Sequence, residues 1–153
     1  MKNKRNFNPI LLARNAIAAS GLMTILNVIV NALHFKPIFP LALFFPSQWG
    51  WYLFNVPADV ETYFGSLEKF LAIRPMVFFI SFILITLIAY SYFRSAKKPK
   101  AIKIGFVALI IDTIFLLLNV NFGLSWLIEM AYHSLLLYYV FKGVRALKEA
   151  SNV

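Results

Sequence analysis

The chain has 153 residues, of which 61% are apolar and 14% charged, with a mean hydropathy of +0.75. Soluble domains run at about 45–50% apolar and about 25% charged, so this composition sets the soluble classes aside and places the chain in a membrane. The absence of cysteine excludes disulfides, thiolate metal sites, cysteine nucleophiles and thiol redox chemistry. The net charge of +9 raises nucleic acid as a partner, but the placement of the charges argues for topology instead. No internal repeat, Walker loop or dinucleotide fingerprint is present.

A crossing helix needs about 20 mostly apolar residues, and in lipid its backbone must satisfy itself. Four stretches qualify. They predict an all-α polytopic integral membrane protein, a four-transmembrane-helix bundle forming one membrane domain over residues 1–153. The first span covers about 16–34. Its apolar run is longer than the about 7–15 residues of a signal-peptide core and its cleavage site is poor, so it reads as a retained helix. Ser20, Thr24, Asn27, Asn31 and His34 follow one another at spacings of four and three, a polar seam on one helical face suited to hydrogen bonding between helices.

Residues 35–57 form an outer aromatic segment with eight aromatics and four prolines. Pro37, Pro40 and Pro46 would break a free helix, and a crossing here would invert the topology of everything after it. The segment is therefore expected to lie in, or dip into, the outer interface, where Trp and Tyr are favoured. Residues 58–73 follow, with Val60, Tyr63, Phe64, Leu67, Phe70 and Leu71 at helical spacing and charges off that face. This predicts an interfacial amphipathic helix lying flat on the outer surface, ending before Pro75 begins the second span.

The second span covers 75–93, with only Ser81, Thr86 and Ser91 to interrupt it, and is expected to face mostly lipid. A basic loop over 94–103 leads to the third span, 104–120, whose seam is Gly105, Ala108, Asp112, Phe115 and Asn119. The fourth span, 122–141, carries Trp126, Glu129, His133, Leu136 and Val140 on one face, and a tail occupies 142–153. Twelve Lys and Arg residues (2, 4, 5, 14, 94, 97, 98, 100, 103, 142, 145 and 148) fall on one side of four spans. Lys36, Lys69 and Arg74 fall on the other, balanced by Asp59, Glu61 and Glu68. Positive residues mark the cytoplasmic face, so both termini and the 94–103 loop are expected to be cytoplasmic in a cell membrane. The basic clusters set topology and touch anionic lipid; the expected partner is the lipid bilayer, together with further copies of the chain or a larger membrane complex, and not nucleic acid.

Helix rise puts Asp112 and His133 at one depth, about 12 Å from the inner ends, and Asn27 and Glu129 at about 17–18 Å. A charge at the bilayer centre costs at least about 2.5–3.5 kcal/mol, so these groups need partners, protons or water. Asn27, Asn31, Asp112, Glu129 and His133 are therefore the candidates for binding a ligand or proton, with Trp49 and Trp51 as an outer lid. Three readings stay open: structural glue between helices, a site that binds or translocates a small solute or ion, and a small intramembrane enzyme. The enzyme would use Asp112, Glu129 and His133, which as carboxylates and an imidazole could hold a divalent metal. Their Glu-x-x-x-His spacing lacks the His-Glu-x-x-His pattern of zinc proteases, and no serine-nucleophile motif accompanies it. Haem is argued against by depth, since His34 lies roughly 14 Å further out than His133. The working expectation is a non-catalytic protein that binds or translocates a solute or ion, or serves as an accessory subunit.

Overall fold

The structure, a computed structural model, describes residues 8–36, 39, 41–119 and 123–151. The basic residues Lys2, Lys4 and Arg5, the prolines Pro37 and Pro40, and the predicted junction at 120–122 lie outside the described residues. The chain is all-helical, with no strand among the described residues.

Helix α1 spans Pro9–Ala32. It begins earlier than the predicted span because Asn8 and Pro9 make a strong start signal. The Asn8 side chain accepts from the amides of Ile10 and Leu11 at 3.0 and 3.3 Å, and a proline at the first helical position has no amide to leave unpaired. The buried stripe of α1 is Ala13, Ala16, Ile17, Ser20, Thr24, Asn27 and Asn31, the seam read from the sequence without its last member. His34 falls past the helix end at φ 66°. There the amides of His34 and Phe35 close onto the carbonyls of Asn31 and Val30, both at 3.0 Å.

The aromatic segment folds in against the long helices. A π-helical turn, Phe45–Trp49, runs into a short helix α2, Trp51–Phe54, and Leu43, Phe45, Pro46 and Ser47 are buried among the long helices. Gly50 makes the wide turn possible. A Cβ at this position would stand 1.9 Å from the carbonyl oxygen of Pro46.

The expected amphipathic helix over 58–73 does not form as one element. It is divided into α3, Val60–Phe64, and the opening turns of α4, Leu67–Ser95. Gly65 sits between them at φ 77°, and the Ser66 hydroxyl caps α4 by accepting from the Lys69 amide at 3.2 Å. Pro75 therefore lies inside α4 rather than at its start. A proline there removes one helical hydrogen bond, but the stripe of Phe70, Val77, Ser81, Leu84, Ile88, Ser91 and Ser95 packs inward on both sides of it. That continuous burial holds the helix together across the defect.

A single turn of 3-10 helix, Pro99–Ala101, leads into α5, Ile102–Leu118, and α6 covers Leu124–Ala150. The four long helices form a ring in which α1 packs on α4, α4 on α5, α5 on α6, and α6 back on α1. Within the last contact, Gly143 faces Ala13. Ala13, Ile17, Leu84, Leu109, Leu136 and Val140 fill the interior, while Leu22, Phe79, Phe82, Ile114, Leu118 and Phe141 are exposed on the outer faces. An exterior this apolar suits lipid rather than water. Three helical stretches, Pro9–Ala32, Leu67–Ser95 and Pro99–Leu118, are long and apolar enough to cross a membrane, as expected of a membrane protein.

Candidate functional site: an inserted segment clamped beside two cavities

An inserted helical piece brings its own problem into an apolar bundle, because the first amides and last carbonyls of any helix lack internal partners. Here side chains of the surrounding helices supply them. The Leu43 amide donates to Thr24 Oγ1 of α1 at 2.8 Å. The Phe44 amide donates to Asp112 Oδ2, and the Phe45 amide to Asp112 Oδ1 at 2.9 Å. Asp112 thus caps a helical segment nearly seventy positions away in sequence.

The other end is closed by Arg74 of α4, whose Nε donates to the Tyr52 carbonyl at 2.9 Å and Nη2 to the Asn55 carbonyl at 3.3 Å. A carboxylate at the amino end and a guanidinium at the carboxyl end complement the dipole of the segment. Between them, Asn27 grips the Phe39 backbone from both sides, accepting from its amide at 3.0 Å and donating to its carbonyl at 2.9 Å. Asn31 donates to the Ser47 carbonyl at 2.8 Å.

His133 reaches Asp112 from α6, with Nε2 2.9 Å from Oδ2, so the two groups placed at one depth by helix rise do meet. The other ring nitrogen, Nδ1, is 3.0 Å from the Glu129 carbonyl oxygen. A carbonyl can only accept, so Nδ1 carries a hydrogen. The Nε2–Oδ2 contact then holds one proton between the two groups, and the pair carries no net charge in either placement of it. This explains how a carboxyl with no exposed surface is tolerated at the centre of α5.

Four of the five candidates, Asn27, Asn31, Asp112 and His133, fasten the inserted segment or the group that caps it, and Asn27 and His133 also line a cavity. Glu129 differs. Its carboxylate accepts from Gln48 Nε2 at 2.9 Å, and it lines two adjoining cavities. The first, about 280 Å³, extends past Asn27, Ser47 and His133; the second, about 270 Å³, is walled by Phe44, Trp49, Tyr52 and Trp126. Gln48 and Ser125 line both, so the Gln48–Glu129 bridge lies at the boundary between them.

No protein-family model, curated protein or solved structure matches the chain.

Of the two expected lid residues, Trp49 lines the second cavity, and Trp51 is not among the residues lining either. Trp51 packs edge-on against Tyr52, with ring centroids 5.4 Å apart. The metal triad of Asp112, Glu129 and His133 does not assemble, because the Glu129 carboxylate turns to Gln48 while Asp112 and His133 face each other. No group of three metal-binding side chains converges among the described residues. His34, the other histidine, pairs with Asn55 at 2.8 Å. Gln48, Ser125, Tyr52 and Arg74 were missed in the sequence. Gln48 carried a faint signal as a lone amide in an aromatic run; Arg74 carried none, since it reads as an ordinary flanking charge.

Proposed function

We propose that this chain is a four-span protein of the cell membrane, with both termini cytoplasmic, that binds a small polar solute or ion at Glu129. The observation that carries this is the position of that carboxylate, lining both cavities and bonded, among the described residues, to the Gln48 side chain of the inserted segment. A carboxylate kept purely as glue would be enclosed by donors, as Asp112 is.

The fourth crossing is supported by α6, whose 27 residues reach about 40 Å against a hydrocarbon core of about 30 Å, and which packs beside α1 and α5. Orientation is supported by charge. Lys103 of α5 and Arg145 and Lys148 of α6 line one cavity at the same end of the bundle, the arrangement expected of a cytoplasmic face. The inserted segment is then a re-entrant element entering from the outside. Such a position is supported by the protein partners of the Leu43, Phe44 and Phe45 amides and of the Tyr52 and Asn55 carbonyls. Apolar outer faces leave room for lipid, further copies of the chain or a partner complex.

The absence of cysteine permits a direct test. E129C in an otherwise unchanged chain is expected to react with a small charged methanethiosulfonate reagent applied from outside. D112C is expected to stay unreactive. An inert E129C in folded protein would mean that the cavities are closed to water, and the binding reading would fail.

A further inference from the structure

We propose that the second cavity takes a small organic ammonium ion, with its charge against Glu129 and its alkyl groups against the rings of Trp49, Tyr52 and Trp126. This rests on the reading of Glu129 as a solute-facing group and adds the class of solute.

The chemistry of the wall points to it. Four aromatic residues, Phe44, Trp49, Tyr52 and Trp126, line about 270 Å³ together with the polar Gln48, Asn119 and Ser125, and Glu129 is the acidic side chain among the lining residues. Aromatic faces carry negative potential and attract cations whose charge is spread over alkyl groups. A small hydrated metal cation gains less from them and wants several oxygen ligands. Anions are disfavoured by both components. Among the described residues, no lysine, arginine or histidine lines this cavity. The guanidinium of Arg74, which meets the Tyr52 backbone, is committed to the carbonyls of Tyr52 and Asn55, and His133 lines the first cavity and faces Asp112.

The rings are also held before any ligand arrives. Trp126 Nε1 donates to the Leu116 carbonyl at 3.1 Å. Trp49 stacks on Phe45 with centroids 5.9 Å apart and meets Tyr52 edge-on at 5.7 Å. Side chains already fixed by such contacts lose little freedom on binding. Gln48 already donates to Glu129, so a bound cation adds its charge beside that hydrogen bond and need not supply a donor of its own.

The test uses the purified full chain in lipid nanodiscs, with tetramethylammonium chloride titrated against sodium chloride at constant ionic strength and followed by calorimetry. Saturable binding is expected. E129Q should weaken it about 10- to 100-fold and W49L about 3- to 30-fold, while W49F, which keeps an aromatic face, should retain most of it. Unchanged unfolding midpoints in E129Q and W49F verify that the fold is intact. Tetramethylammonium binding that W49L leaves unchanged overturns the aromatic box. Sodium or potassium binding that depends on Glu129, without tetramethylammonium binding, overturns the ammonium class but leaves the solute reading standing. No binding of any cation, together with an inert E129C, removes both.

Discussion

Replacing Asp112 with alanine isolates the contact on which the inserted segment depends. The amides of Phe44 and Phe45 and the Nε2 of His133 all lose their partner, and both phenylalanines are nearly buried, at 9% and 4% exposure. An orphaned buried polar group costs about 1–3 kcal/mol, so the two amides alone put the loss at about 2–6 kcal/mol. D112N keeps one acceptor oxygen and should lose about half as much. His133→Ala leaves Asp112 with both amides but removes the partner that neutralises it, so it should destabilise the chain as well, by about 3–5 kcal/mol. The measurement is unfolding by sodium dodecyl sulfate titration in mixed micelles, paired with hydrogen exchange of residues 41–55. In D112A that stretch should exchange faster while α5 and α6 stay protected. A D112A variant within about 0.5 kcal/mol of the parent, the range of neutral surface changes, with unchanged exchange over 41–55, would refute the capping role.

Other parts of the fold can be tested separately. G143A would place a Cβ 2.4 Å from that of Ala13 and 3.1 Å from the Pro9 carbonyl; overpacking of this kind should cost about 1–3 kcal/mol. Adding A13G should recover part of it, and a G143A as stable as the parent would mean α1 and α6 do not cross there. Arg74→Met frees the Tyr52 and Asn55 carbonyls and should raise exchange at 51–56 while leaving 43–45 protected; equal loosening of both ends would mean the segment is released as a unit and not clamped separately. For topology, single cysteines at the exposed positions Lys98 and Lys148 should be shielded from an impermeant maleimide in whole cells, and one at the exposed Glu68 should be labelled. Labelling of K148C with protection of K98C would mean that α6 does not bring the tail back to the inner side.

Much of the framework was readable without coordinates, for definite reasons. Apolar length and the period of the polar seams depend only on local geometry, so α1, α4 and α5 and the inward face of α1 followed from residue order. The meeting of Asp112 and His133 was approachable because helix rise converts residue number into depth. Pro75 shows where local signals failed. Its helix-start preference is real, but the buried stripe on either side of it decided that α4 begins at Leu67. The amphipathic pattern over 58–73 failed likewise, since Gly65 interrupts the helix and Ser66 starts another.

The candidate site divided along the same line. Residue types and depth alone identified the polar groups that an apolar bundle must accommodate. Which of them are consumed as structure was decided by the fold, because the donors that satisfy Asp112 are backbone amides of Phe44 and Phe45, and any residue type supplies those. Glu129 emerged as the cavity-facing carboxylate only when the inserted segment placed Gln48 against it and Asp112 took His133. One-dimensional order determines how deep each helix carries its polar side chains. Only the packed chain determines what each of them finds there.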